Sequence, residues 1–452
     1  MTLPAALPRS PGIRIGGTRY PLVLPTVRDP RLHLLAVILS LQTLGQVAFA
    51  FRVSIAQILI SLVTCGLIEL AIVFRRQRVL MWPASALLTG NGVAFVLRVP
   101  GTEHGQWWSL HGAWIFAATA AGSLLSKHLV RFRGAHVFNP SNIGLVVCFL
   151  AIGPGRADPL AFWWGPMSGW MVLALAIIVA GGLAILFRLR QLSIAVSFWL
   201  AFVAGIAVVA ATGHAMTARW HLGPIEGLYF WRVLATSPEV LVFLFFMITD
   251  PKTIPARGRA RIAYAVSIGL LAALLIAPAQ TEFWAKVALL GSLAIVCLAR
   301  PLVALLPRPR LGARKAAVLV AAGVAAYAGG LVAAGLPARA ASVAGAAPME
   351  PSVRLPALAV APSRGVDERL SRPTADRIAR FLVVEAQSGR LMIAHVRRIT
   401  MWLEAGSGQL ALLVARVEGA PRNTAGRATP LVETVEITQT LQGYRIYRVR
   451  SS

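Results

Sequence analysis

Apolar runs long enough to cross a lipid bilayer follow one another along most of this chain, joined by short connections rich in arginine. A helix needs about 20 apolar residues to cross the hydrocarbon core. Every backbone amide in that core must bond within its own segment. Candidate spans are 32–50, 54–74, 80–97, 112–126, 140–152, 168–187, 192–212, 238–248, 262–278, 283–298 and 316–336, two of them short for a full crossing. With 57% hydrophobic and 13% charged residues, no water-soluble core absorbs this much apolar surface. The net charge of +27 would suit nucleic acid, but the arginines sit in small clusters between apolar runs rather than on one basic face. The partner they imply is a lipid bilayer, with no nucleic acid. Cys65, Cys148 and Cys297 lie singly inside apolar runs without C-x-x-C spacing, so neither a disulfide framework nor a metal site is expected. The N-terminal stretch has no apolar run followed by a small-residue cleavage site and does not read as a cleaved signal peptide.

The basic clusters alternate along the chain, and positive charge favours the cytoplasmic side. Arg28 and Arg31, then Arg75, Arg76 and Arg78, then Lys127, Arg131 and Arg133, then Arg188 and Arg190 fall on one side of the bilayer. The intervening loops carry Trp107, Trp108, Trp163, Trp164 and Trp231, as an outer interfacial belt would. This gives a cytoplasmic N-terminal segment (1–31), a membrane domain (32–337), a linker (338–371) and an extracytoplasmic C-terminal domain (372–452). In the last, 374–385 reads as a helix. The segments 391–403, 409–417, 432–440 and 444–449 alternate like strands, giving a small α+β or mostly β domain. It carries no catalytic motif, and a docking or scaffold role is the expectation.

Polar and helix-breaking groups inside apolar runs are tolerated at membrane depth only when packed in protein or lining a cavity. Three stretches qualify. Thr89-Gly90-Asn91-Gly92 falls inside the third span and invites an unwound helix. In His136-Val137-Phe138-Asn139-Pro140-Ser141-Asn142, Asn139 is placed to cap and Pro140 to begin a helix. Ser237-Pro238 repeats that logic ahead of Thr249-Asp250-Pro251-Lys252. Each cap starts a half-length helix whose positive end suits an anionic or carbonyl-rich group. The third and eighth spans both begin at a proline, Pro83 and Pro238, and both carry a late threonine turn, Thr89-Gly90 and Thr249-Asp250. Spans one to five run opposite to spans six to ten. An inverted-topology repeat predicts this pattern, with a site at the repeat interface. Outside these stretches, His128 and His136 read as solvated loop histidines, and Glu69 as a snorkelling carboxylate paired with Arg75 or Arg76.

At these residues the chain resembles the NqrB/RnfD family, the membrane flavin subunits of sodium-pumping quinone reductase and of the Rnf electron-transport complex. The resemblance rests on Ser85 to Gly90, on Phe138 to Ser141, and on Phe245 to Pro255. The variants H-V-F-N-P-S-N and M-I-T-D-P-K-T look like those of the RnfD-like membrane proteins of enediyne biosynthesis clusters. The resemblance implies an all-α polytopic protein of about 10 to 11 transmembrane helices, arranged as two inverted five-helix repeats with broken helices, in a bacterial cytoplasmic membrane. It further implies a subunit that moves electrons in the membrane alongside other redox or membrane-complex subunits, as part of an oxidoreductase or ion-translocating complex rather than as a stand-alone enzyme. Covalent FMN in the family sits on an S/T-G-A-T threonine, and Thr217 and Thr236 stand here in unrelated contexts. The expected cofactor is therefore a flavin, FMN or riboflavin, held non-covalently. The residues assigned to it are Thr89, Asn91, Asn139, Ser141, Asn142, Thr249, Asp250 and Lys252. Two other functions fit the same features: a transporter or channel-like permease for a small solute, and an assembly platform linked to natural-product biosynthesis.

Overall fold

Pro30 supplies a helix-ready φ and Asp29 caps its helix by accepting from the Arg31 backbone N–H, and this is how the first long apolar segment begins. The computed structural model describes residues 12–15, 18–26, 29–160, 169–218, 224–256, 258–305, 313–335, 356–364, 370, 372–389, 391–405, 411–422, 430–440 and 443–451. The first half contains β1 (Gly12–Ile15), β2 (Thr18–Val23), α1 (Pro30–Ala48), α2 (Ile55–Gln77), β3 (Leu80–Met81), α3 (Ala84–Val96) and β4 (Leu97–Arg98). It continues with α4 (Ala113–Leu129), β5 (Arg131–Phe132), β6 (Ala135–His136), α5 (Pro140–Ile152) and β7 (Asp158–Pro159). The second half contains α6 (Gly169–Leu189), α7 (Leu192–Ala211), β8 (Ala215–Thr217), β9 (Pro224–Glu226), α8 (Gly227–Thr236), α9 (Pro238–Val242) and a π-helical turn over Phe243–Met247. Then come α10 (Gly258–Ile276), α11 (Glu282–Leu305) and α12 (Ala313–Gly335).

Among the described residues, seven helical segments are long and apolar enough to cross a bilayer, so the chain is a membrane protein. Burial ranks them. The segment Gly227–Met247 is 72% buried and Glu282–Leu302 is 61% buried, whereas Pro30–Ala48 is only 28% buried. The first two therefore form the centre of the bundle, and the faces that α1, α2, α6 and α7 leave uncovered are apolar, including Val47, Leu67 and Phe187. Such faces suit lipid, which costs an exposed Leu or Val nothing.

Two expectations fail at the membrane core. The Thr89-Gly90-Asn91-Gly92 stretch is not unwound: α3 runs through it without a break. The glycines serve packing instead. A Cβ on Gly90 would lie 2.5 Å from the Ser61 carbonyl oxygen of α2, and one on Gly92 would lie 3.1 Å from Ser141 at the start of α5. Their absence lets three helices meet. The span drawn over 80–97 also shrinks to the 13 residues of α3, preceded by the short strand β3. Thirteen residues rise about 20 Å, less than the roughly 30 Å of a hydrocarbon core, so one end of α3 must be covered by protein. Arg98 does this: its Nη1 donates to the Ala94 and Leu97 carbonyls at 3.0 and 2.7 Å, and its guanidinium stacks over Phe51.

The second failure concerns the segment before Ser237, which reads as a loop but forms α8. Together α8, α9 and the π turn make one interrupted span. Pro238 cannot donate to the turn before it, and the residue before a proline is pushed to extended backbone; Ser237 sits at ψ 144°. The freed end is recapped by Ser237 Oγ, which accepts from the Val240 N–H at 3.2 Å.

The C-terminal domain is α+β. Its strands β10 (Ala357–Val360), β11 (Ile393–Ala405), β12 (Ala411–Pro421), β13 (Leu431–Thr440) and β14 (Gly443–Ser451) lie in that order, β10 parallel to β11 and the rest antiparallel. Strand β10 lies in the stretch read as linker, so the ordered sheet begins at Ala357. The helix α13 (Arg372–Gln387) lays Ile378, Leu382 and Ala386 on the face carrying Ile399, Met401, Leu413 and Val435. Each fully buried large aliphatic there contributes about 1.5–3 kcal/mol.

Candidate functional site

Asn139 joins the two halves of the bundle. As cap of α5 its Oδ1 accepts from the Asn142 N–H at 3.2 Å and from Ser141 Oγ at 3.0 Å, while its Nδ2 donates to the Met247 carbonyl at 3.1 Å. Met247 ends the π turn, and Pro251, four residues on, has no N–H to return, so the Met247 carbonyl is open to an outside donor. Beside this junction lies a cavity of about 370 Å³. Its walls are apolar, from Ile38 of α1, Leu88 and Phe95 of α3, Ile185 of α6, and Phe245 and Phe246 of the π turn. Its polar margin holds Thr89, Asn139, Ser141, Thr249, Asp250 and Lys252, together with Asp29, Arg31 and His136.

Six of the eight residues singled out in the sequence thus line one cavity, and two do not. Asn142 reaches away to donate to the Leu290 carbonyl at 3.0 Å, tying α5 to α11. Asn91 is fully buried, and neither atom of its amide has a hydrogen-bond partner among the described residues. Thr89 and Thr249 are used alike. Each hydroxyl donates to the carbonyl four residues back, of Ser85 at 3.0 Å and of Phe245 at 2.6 Å, which leaves its oxygen as an acceptor. The cavity margin therefore offers acceptors from the threonines and donors from Lys252 and Arg31.

Three polar contacts correct the sequence reading. His136 Nε2 lies 3.2 Å from Asp250 Oδ2, and His128 Nε2 lies 2.7 Å from Glu69 Oε2, so both histidines are tethered to carboxylates rather than solvated. Glu69 turns to Lys127 Nζ at 2.8 Å instead of to Arg75 or Arg76, because Lys127 and His128 sit in the last turn of α4, which packs against α2. Asp250 Oδ1 also accepts from the Lys252 N–H at 3.0 Å, which fixes the turn below the π helix. Outside the spans, the Arg31 guanidinium bonded to Asp29 holds that carboxyl below the usual carboxylate range.

A third group escaped sequence reasoning. Lys286 of α11 is buried, with Nζ donating to the Leu160 carbonyl at 2.8 Å and to Glu282, and lying 3.1 Å from Glu239 Oε1 at the start of α9. The Glu282-to-Lys286 spacing at the head of an apolar run is visible in the sequence; the third member, Glu239, comes from a distant helix. Among the described residues, no group of three or more His, Cys, Asp or Glu side chains is placed to hold a metal ion.

Fold and site together define a polytopic membrane protein with an amphipathic cavity between its helices. No protein-family model matches the chain, and no curated protein matches it significantly.

Proposed function

We propose that this chain is an RnfD/NqrB-like membrane subunit of an electron-transport system, and that the 370 Å³ cavity holds a flavin without a covalent bond. The observation that carries the reading is the cavity's division into an apolar slot and a polar, cationic margin. Ligand cavities of about 300–1,000 Å³ enclose molecules of flavin size. Phe95, Phe245 and Phe246 suit a flat ring system, the threonine oxygens suit a ring N–H, and Arg31 and Lys252 suit ring carbonyls or a phosphate. When bound, the flavin supplies the electron chemistry, and the protein orients it and keeps water from its ring.

Helix packing supports the inverted repeat that this reading implies. Pairing α1 to α5 with α6, α7, the interrupted span, α10 and α11, α2 packs on α4 as α7 packs on α10, and α4 on α5 as α10 on α11. Under the same pairing, α1 meets α3 as α6 meets α9 and the π turn, while α1 with α6 and α5 with α11 pair like with like. Thr89 and Thr249, one in each half, also bond alike, each to the carbonyl four residues back. Counting the short helices and α12 with the long ones gives eleven spans in a bacterial cytoplasmic membrane, basic loops inside and the C-terminal domain outside. A reporter that is active only in the cytoplasm, fused after Ser452, is then expected to be silent; an active fusion overturns this orientation.

Protein purified in detergent from riboflavin-replete cells is expected to be yellow, with flavin released by acid denaturation. Phe246→Ala together with Thr249→Val is expected to lower the retained flavin at least tenfold. A colourless wild-type preparation removes the flavin assignment, and solute uptake by vesicles carrying only this protein would point to the permease.

A further inference from the structure

A second cavity, of about 460 Å³, adjoins the first and shares Arg31, Ser85, His136 and Lys252 with it. Its chemistry differs. Five cationic side chains line it, Arg31, Arg76, Lys127, Arg131 and Lys252, against a single carboxylate, that of Glu69. Lys127 and His128 already engage Glu69, and Arg31 engages Asp29. Among the described residues no carboxylate stands within ion-pair distance of Arg76, Arg131 or Lys252. This concentration of positive charge in one hollow calls for an anion.

Further features narrow the anion to a phosphate. The start of α3 lines the cavity through Pro83, Ala84 and Ser85, and no side chain caps it, so its positive helix end faces the hollow. Lys127 Nζ is held 3.2 Å from Ser85 Oγ on the same wall, and while the Ala84 and Ala86 N–H groups bond the Trp82 and Pro83 carbonyls, that of Ser85 remains, so an ammonium, a hydroxyl and one backbone N–H stand together as a phosphate requires. The outer rim is apolar and exposed, with Val23, Leu24 and Trp82 at 42%, 56% and 48% exposure. A tryptophan beside a basic pocket between helices is the arrangement in which membrane proteins take up anionic headgroups.

We propose that this second cavity is a binding site for a phosphate-bearing ligand, whose phosphate meets Arg76, Lys127 and Arg131 over the start of α3. An anionic phospholipid and a soluble phosphoryl compound share that chemistry. The site does not depend on the flavin reading, and its test needs no flavin signal.

Full-length protein in mixed micelles is titrated with phosphatidylglycerol, with diacylglycerol as the phosphate-free control, and separately with inorganic pyrophosphate, reading the thermal midpoint. Saturable stabilisation by one phosphate-bearing probe is expected, and the responding probe identifies the source: lipid if phosphatidylglycerol, soluble if pyrophosphate. The Arg76→Gln, Arg131→Gln double variant is expected to need at least tenfold more of that probe. Arg190→Gln with Arg259→Gln, which removes two exposed arginines outside the cavity, is expected to stay within twofold of wild type. Should the double variant fail to fold, Arg76→Gln alone is expected to need about threefold more. The proposal is overturned if neither phosphate probe stabilises the wild type, if diacylglycerol acts as well as phosphatidylglycerol, or if the control pair weakens binding as much as the cavity variants.

Discussion

Lys286→Met is expected to destabilise the protein by about 3–5 kcal/mol, the range for removing one partner of a buried ion pair. Lys286 is the cation between Glu239 and Glu282, and it also satisfies the Leu160 carbonyl. Methionine fills nearly the same volume, so little of the loss comes from packing. Two carboxylates would be left facing each other in a buried setting, which is why the effect is large. Glu239→Gln and Glu282→Gln added to Lys286→Met should recover most of the stability, since neutral groups of similar size carry no charge to desolvate. Thermal unfolding in detergent and the monodisperse fraction on size exclusion report both steps. If the single variant unfolds within about 1 kcal/mol of wild type, the ion cluster does not hold α9 to α11.

Gly90→Val is the second large effect, expected to exceed about 3 kcal/mol and to scatter the size-exclusion profile. The Cβ would fall 2.5 Å from a backbone carbonyl oxygen of α2, and backbone cannot rotate away as a side chain can. The α2 and α3 helices would have to separate, moving Thr89 and Leu88 out of the cavity wall. Gly122→Val in α4, where a Cβ meets nothing within 4 Å, is the matched control and should remain near wild type. Equal behaviour of the two variants would refute the close α2–α3 contact.

What the sequence shows and what it hides divide by range. Asn139 and Ser237 are legible as caps because the bonds that define a cap close within three residues. The extent of α5 is legible for the same local reason. The Thr89-Gly90-Asn91-Gly92 stretch misleads because glycine and asparagine weaken an isolated helix, whereas here glycine is required by a neighbour whose closeness no local rule contains. The α8 segment is hidden by its aromatic residues and Arg232, which suit an interfacial loop until burial against α7 makes it a helix. His136 with Asp250 is 114 positions apart in sequence, and Lys127 with Glu69 is 58. Such pairs become visible only once the chain has folded, yet most of the residues chosen for intramembrane polarity line one cavity.

With both proposed occupants bound, the wall common to the two cavities would place them in thermodynamic linkage. His136, Ser85, Arg31 and Lys252 belong to both, so an occupant that re-aims any of them on one side changes what the other side offers. Whatever factor filling the basic chamber imposes on affinity in the apolar one must be returned in equal measure by filling the apolar one first. If phosphatidylglycerol is the responding probe, the membrane's own composition acts as an effector of whatever the apolar chamber holds.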